Sequence, residues 1–289
     1  MNRLGSVSVG GSNPVRIMGI LNTSPESFYK KSIKTTKQQI TQTVKKMEKD
    51  GADFIDVGGM STAPYLSTLI SEKLEIRRLK HTVNIIQNIS NLPVSVDTCR
   101  ANVASELLKH GVDIINDISG LKYDKKMINV ISNYNPSLVL CAFSKNRVVG
   151  NTVPKTKKLL KESMTLAKSA GISSKKIVLD PAIGFFRKKG RGSFFTKINS
   201  EWFQRDLTVL CNLKKIKQGQ PILVSVSNKS FIGKILHHSQ NLADRLAGSL
   251  ATEVLSVING ADIIRTHNVK ETKQVVSIVQ KLSSSNKSL

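Results

Sequence analysis

Eight short apolar runs recur along this chain, and each is followed by a stretch with helical periodicity. The runs lie in "RIMGIL" (16–21), "DFIDVGG" (53–59), "PVSVDT" (93–98), "DIINDISG" (113–120), "SLVLCAF" (137–143), "KIVLDP" (176–181), "PILVSVS" (221–227) and "DIIRTHN" (262–268). They are nearly continuous in apolar residues, as strands of a parallel sheet buried on both faces must be. Between them, Ile40, Val44 and Met47 share one helical face, and Leu74, Ile76, Leu79, Val83 and Ile86 form a stripe on another. Gly51, Gly111, Gly171, Gly219 and Gly260 each end such a stretch, where a left-handed residue can stop a helix. The pattern predicts one helix across 200–219, a shorter one near Asp124–Ile131 and a closing one over "KETKQVVSIVQKL". Eight strands alternating with about eight helices predict a (β/α)8 TIM barrel. A doubly wound open sheet is the rival, but it calls for a glycine-rich turn after the first strand, and "LNTSPES" has none. No composition shift marks a second domain, so residues 1–289 are read as one domain with a flexible tail at 283–289.

All eight runs end in polar or small residues. Asn22 closes the first and breaks into a Pro-punctuated loop. Asp97, Asn116, Asp180, Ser227, Arg265 and His267 close others. In a barrel these ends meet at one face, the face that carries the active site. Polar groups buried there need partners, which a ligand can supply. Asp97 and Asp180 could each instead cap the following helix; the whole set is harder to explain that way.

Charge and cysteine content narrow the classes. The net charge is +24, which suits nucleic acid, an acidic small ligand or a generally basic surface. Aromatics are only 5% and are not interleaved with the basic residues, so a nucleic-acid partner is not expected. Cys99, Cys141 and Cys211 form no paired motif, and no apolar run nears the roughly 18 residues a membrane span needs. The expected setting is the reducing cytoplasm. His237 and His238 lack further metal ligands at helical spacing and read as a loop pair; Cys99 reads as packing at a helix start.

The motifs "MGILNTSPESF", "GADFIDVGGMSTAP", "PVSVDT", "INDISG", "LDPAIGF", "PILVSVSNKSFIG", "RLAGSLATEV" and "GADIIRTHNV" resemble, in order, those of the dihydropteroate synthases. The resemblance covers residues 14–270. It implies a (β/α)8 barrel that joins 6-hydroxymethyl-7,8-dihydropterin diphosphate to 4-aminobenzoate and releases diphosphate, with Mg2+. It implies that Asp180, Asp97, Asn116 and Lys229 hold the pterin, and that Arg265, His267 and Asn22 face the diphosphate, Asn22 also lying near the metal. It places Ser61, Thr62 and Pro64 by the aminobenzoate pocket, with Lys229, Asp180, Arg265 and His267 as the catalytic set. Because the helix containing Leu246, Leu250, Val254, Val257 and Ile258 is apolar over a wide arc, and family members pair through late helices, a homodimer is expected.

The departures cluster in the loops. Met60 and Ala63 replace an acid and an arginine of the family's second loop, and "FYKKS" lacks the first loop's aspartate and glycine pair. Ala182 stands for glycine, Asn228 for arginine and Asn268 for aspartate. Lys30 and Lys31 are the available replacement cations in the first loop. These changes predict that a pterin diphosphate binds but that 4-aminobenzoate, as opposed to a related arylamine, is used poorly. A pterin-binding methyltransferase-like protein and a non-catalytic pterin-binding protein remain as alternatives on the same barrel.

Overall fold

The computed structural model describes residues 1–25, 34–64, 69–237 and 242–285. Lys30, Lys31 and His238 lie outside them, as does most of the first loop. In chain order the elements are β1 (Asn2–Leu4), β2 (Val7–Val9), β3 (Arg16–Asn22), α1 (Lys37–Lys49), β4 (Phe54–Gly58), α2 (Glu72–Gln87), β5 (Val94–Asp97), α3 (Ala101–Lys109), β6 (Ile114–Asp117), α4 (Met127–Tyr134), β7 (Ser137–Cys141) and α5 (Thr152–Ser169). There follow β8 (Ile177–Asp180), β9 (Phe186–Arg187), β10 (Thr196–Lys197), α6 (Trp202–Leu210), α7 (Leu213–Ile216), β11 (Leu223–Val224), α8 (Ser230–Ile235), α9 (Leu246–Ile258), β12 (Ile263–Thr266) and α10 (Val269–Ser285).

Eight parallel strands pair in the order β11-β12-β3-β4-β5-β6-β7-β8. Closure between β8 and β11 rests on one bridge, Leu179 to Ile222, and on a 2.9 Å bond from the Leu179 N–H to the Pro221 carbonyl. The barrel expected from the alternation is therefore present, with β11 its weakest strand. The run 221–227 contributes only Leu223–Val224 to the ladder. Pro221 has no N–H to give, and the Ile222 N–H goes to the Asp262 carboxylate at 2.7 Å.

The pleat divides each strand into two environments. Outward residues such as Ile17, Leu21, Ile55, Val57, Leu138 and Leu179 pack beneath the helices in the main core. Inward residues Met18, Phe54, Ile114, Val139, Val178, Leu223 and Ile263 fill the lower barrel, and Leu4 and Val9 of the β1–β2 hairpin plug it from below. Two residues further along the same strands, the inward positions turn polar: Asp56 above Phe54, Asn116 above Ile114, Asp180 above Val178, Arg265 above Ile263. That switch fixes the site at the carboxyl ends of the strands. The hairpin was not anticipated from sequence; its "VSV" alternation is too short to stand out.

Other expectations need adjustment. The helix read across 200–219 is broken in two. The Asn212 side chain takes the Thr208 carbonyl at 2.8 Å, and its backbone N–H takes that of Val209 at 3.0 Å. The short helix near Asp124–Ile131 lies three residues later, at Met127–Tyr134, and α10 runs through Ser285, into the stretch read as tail. On α9 the buried residues are Ser249, Glu253 and Ser256, while Ile258 is 54% exposed. Leu246, Leu250, Val254 and Val257 are half-buried, so the chain's own neighbours cover the apolar arc only in part.

Candidate active site

An open cleft at the carboxyl ends of the strands gathers Asn22, Ser61, Thr62, Pro64, Asp97, Lys229, Arg265 and His267 around one space. Asn116 and Asp180 lie below it, only 5% and 7% exposed. Every site residue picked from the sequence thus falls at or directly beneath this cleft, from seven of the eight barrel strands and their loops.

Arg265 organises the floor. Its Nε donates to Asp56 Oδ2 at 2.6 Å and its second guanidinium nitrogen donates to Asp97 Oδ2 at 3.0 Å. Asn116 Nδ2 donates to the same Asp56 oxygen at 3.2 Å. Burial opposes the Arg265 charge, but Asp56 and Asp97 outweigh it and raise its pKa. Burial pushes Asp97 up to about 7, with Arg265 pulling the other way. Asp56 is fully buried and its Oδ1 has no hydrogen-bond partner among the described residues. Asp56 is missing from the sequence-derived set. Its signal was its inward parity with Phe54 in "DFIDVGG", which is visible only once the strand's inward face is known.

Asp180 is held from the other side. Its Oδ1 accepts the Ala182 N–H at 2.7 Å, and burial raises its pKa against the pull of that bond and of Lys229 and Arg265. Lys229 places its ammonium 4.3 Å from the Phe185 ring centroid. Burial and the nearby Arg265 lower its pKa to about 8, while Asp180 and Asp206 act in the opposite sense. Gly184 has φ +88°, so a side chain there would be strained, and its Cβ would also press on the Lys229 stem at 3.0 Å. His267 Nδ1 lies 3.2 Å from Ser227 Oγ, and burial with Arg265 and Lys229 nearby lowers its pKa to about 3. The imidazole is therefore neutral at physiological pH. Three carboxylates, Asp56, Asp97 and Asp180, face the cations Arg265 and Lys229. The floor therefore offers carboxyl acceptors in near balance with its cations, in a chain of net charge +24, which suits a neutral ligand edge rich in N–H donors.

The loop departures take physical form here. Ala182 has φ +58° and Asn228 has φ +59°. Asparagine tolerates that region, whereas alanine is strained in it. The strain is imposed because the Ala182 N–H must meet Asp180 while its carbonyl accepts from Arg205 at 3.2 Å. Ala182→Gly is expected to stabilise the chain by about 1 kcal/mol, read from the urea midpoint; an unchanged or lower midpoint would show that the left-handed conformation carries no cost. Met60 packs into the main core, and Cys99 is buried with its thiol pKa pushed well up, as an inert packing residue.

Comparison with known proteins agrees with this geometry. The family profile described as pterin binding enzyme matches residues 18–267. The chain is 34% identical to the dihydropteroate synthase of Clostridium beijerinckii over 278 residues, 96% of this chain and 97% of that one. The chain belongs to the dihydropteroate synthase family. Two solved dihydropteroate synthases with pteroic acid superpose closely on it. That of Clostridium difficile has a TM-score of 0.82 at 33% identity, covering 98% of this chain and 99% of the other. That of Coxiella burnetii has 0.81 at 32%, covering 96% and 97%. Dihydropteroate synthases are transferases, and this chain is an enzyme of that kind.

Proposed function

We propose that the chain condenses 6-hydroxymethyl-7,8-dihydropterin diphosphate with 4-aminobenzoate or a related arylamine. The observation that carries this reading is the buried Asp180 and Asn116 beneath a cleft rimmed by Asn22, Arg265 and His267. A pterin's amino-pyrimidine edge offers adjacent N–H donors, and the Asp180 carboxylate is the acceptor at the right depth. Lys229, above the Phe185 ring, meets the pterin carbonyl. Arg265 and His267 face the diphosphate. In the reaction the amine nitrogen bonds to the exocyclic methylene carbon as the carbon–oxygen bond to diphosphate breaks. The electron pair leaves on diphosphate, and the amine's proton passes to water. Cationic and N–H groups fixed at the leaving oxygens stabilise the charge that develops there. The methyltransferase-like alternative has no use for this diphosphate end, and the family assignment does not favour it. The pteroic acid in the related structures joins a pterin to an aminobenzoate, which supports the two-substrate reading.

Among the described residues no group of three or more His, Cys, Asp or Glu side chains could hold a metal. Mg2+ commonly keeps several waters and takes substrate phosphate oxygens, so the residues fit a metal that arrives with the diphosphate. Asn22 would be its protein contact, and the ion would supply charge neutralisation on the leaving group. Among the described residues no helix is long and apolar enough to cross a membrane. With three free thiols, Cys99, Cys141 and Cys211, the reading places the chain in the cytoplasm.

Diphosphate release measured with and without 4-aminobenzoate tests the proposal. Release that requires an arylamine is expected; no release, or release at the same rate without arylamine, would overturn it. The pH profile adds a second check. Lys229 is charged below about pH 8, so kcat/KM for the pterin diphosphate should fall about tenfold per unit above that. Stability moves the opposite way. Between pH 8 and the unfolded value of 10.5 the unfolded chain keeps a proton the folded one has lost, so this group's contribution to stability rises with pH. A kcat/KM flat to pH 9.5 would remove Lys229 from the reaction.

The chain pairs as a homodimer in this reading. Leu255 and Ile258 on α9, and Ile278 and Leu282 on α10, are between 42% and 64% exposed. Light scattering at micromolar concentration should give twice the 31.7 kDa chain mass, and a monomer mass would contradict the assignment.

A further inference from the structure

Glu253, on the inner side of α9, is fully buried, and the reaction described above does not use it. We propose that Glu253 is a positioning residue: through the hydroxyls of Thr272 and Thr266 it aligns the end of β12, which presents Arg265 and His267 to the diphosphate of the substrate. The assignment rests on the reading above that these two residues face the diphosphate.

The geometry is a chain of hydrogen bonds with one direction. Thr272 Oγ1 lies 2.8 Å from Glu253 Oε2 and 3.0 Å from Thr266 Oγ1. A hydroxyl has one hydrogen, and an ionised carboxylate can only accept, so that hydrogen goes to Glu253. Thr266 therefore supplies the hydrogen of the second bond. Its own Oγ1 accepts the Asn268 N–H at 3.1 Å. The Asn268 carbonyl then accepts the Thr272 N–H at 2.9 Å, which joins the end of β12 to the first turn of α10. Thr266 stands between Arg265 and His267, the two residues that reach the cleft. Glu253, Thr266 and Thr272 are each 0% exposed, so bulk water cannot replace a lost partner.

Cost is the second argument. A carboxylate buried among hydroxyls without a cation beside it destabilises a fold. Burial raises the Glu253 pKa to about 7 against the pull of the Thr272 and Thr266 hydroxyls, with no charged side chain among the causes. Its Oε1 has no hydrogen-bond partner among the described residues. Leucine, of similar size, would fill this place without that cost. What leucine cannot do is fix the direction of the chain. Without an acceptor at Oε2, Thr272 turns its hydrogen to Thr266, and the Thr266 hydrogen loses its acceptor. Thr266 then rotates toward a backbone carbonyl, gives up the Asn268 N–H and shifts residues 265–267.

The test compares the wild type with Glu253→Leu, Glu253→Gln and Thr272→Val above pH 7, where Glu253 is charged. Three quantities are read: kcat/KM for the pterin diphosphate, and calorimetric affinity for inorganic diphosphate and for 6-hydroxymethyl-7,8-dihydropterin, which lacks the diphosphate. In Glu253→Leu the first two are expected to fall at least about tenfold while the third stays within about threefold, since small displacements of positioned groups cost rate steeply. Glu253→Gln keeps an oxygen for Thr272 and should recover most of the loss. Thr272→Val should match Glu253→Leu, and the double variant should be no worse than either, as for two links of one chain. Unchanged kcat/KM and affinity in Glu253→Leu would overturn the proposal. So would a loss shared equally by both pterins, which marks a purely structural role, or additive losses in the double variant. If Glu253→Leu does not fold, Thr272→Val is read with the same outcomes. If the wild type turns over no arylamine, the condensation reading fails by itself, and the inorganic diphosphate titration decides. Binding at least about tenfold weaker in the variant supports the assignment; equal binding, or none to the wild type, overturns it.

Discussion

Arg265→Met is expected to cost the fold about 3–5 kcal/mol and to abolish turnover, because it leaves the buried carboxylates of Asp56 and Asp97 without their cation. The two effects come from one side chain in two roles. Toward the interior it neutralises Asp56, which is fully buried; toward the cleft it is, in the function proposed above, the charge that faces the leaving group. The pH dependence separates this account from a simple loss of packing. Asp97 is held at about 7 in the folded chain, against an ordinary value of 3.8. Between those values the folded state carries a proton that the unfolded state has released, so this group's contribution to stability falls as pH rises through the window. Removing Arg265 pushes Asp97 higher still. The variant should therefore be most destabilised above pH 7 and partly relieved at pH 5, where Asp97 is protonated. Urea unfolding at both pH values checks it, and a destabilisation that is small or the same at both would show that the carboxylates are not balanced by Arg265.

Asp180→Asn is expected to weaken binding of the pterin diphosphate by more than tenfold while leaving the fold intact. Asparagine keeps an oxygen to accept the Ala182 N–H that Asp180 now accepts at 2.7 Å. Alanine would leave that N–H unpaired and mix a folding defect with the binding defect. What asparagine removes is the charge, and a charged hydrogen bond to the ligand contributes about 1.5–3 kcal/mol. Burial already raises the Asp180 pKa, so losing this charge should not lower stability at neutral pH. There is a second readout. Asp180 helps hold the Lys229 proton, whose pKa is about 8; without it the alkaline limb of the rate profile should move to lower pH. Calorimetric affinity within twofold of the wild type would remove Asp180 from the pterin site.

The barrel was legible in the sequence because burial on both faces leaves parallel strands a nearly continuous apolar code, and because the helices between them repeat at 3.6 residues. The site's location was legible for a related reason: a polar residue at the end of an apolar strand is conspicuous, as at Asn22, Asp97, Asp180 and Arg265. The motif order led to the pterin-binding family without any coordinates. What the sequence left open depended on contacts between distant residues. Asp56 reads as one more strand residue until Arg265, 209 positions away, is found against it. The polar inner side of α9 was hidden for the same reason. Helical periodicity finds an apolar arc, but Glu253 is buried by the hydroxyl that Thr272 on α10 donates to it at 2.8 Å, a pairing no local pattern encodes. Local patterning therefore determined the strands, the helices and the end of the barrel where chemistry occurs. The charge balance of that chemistry was decided by tertiary structure, because electrostatic partners are chosen by proximity in space and not along the chain.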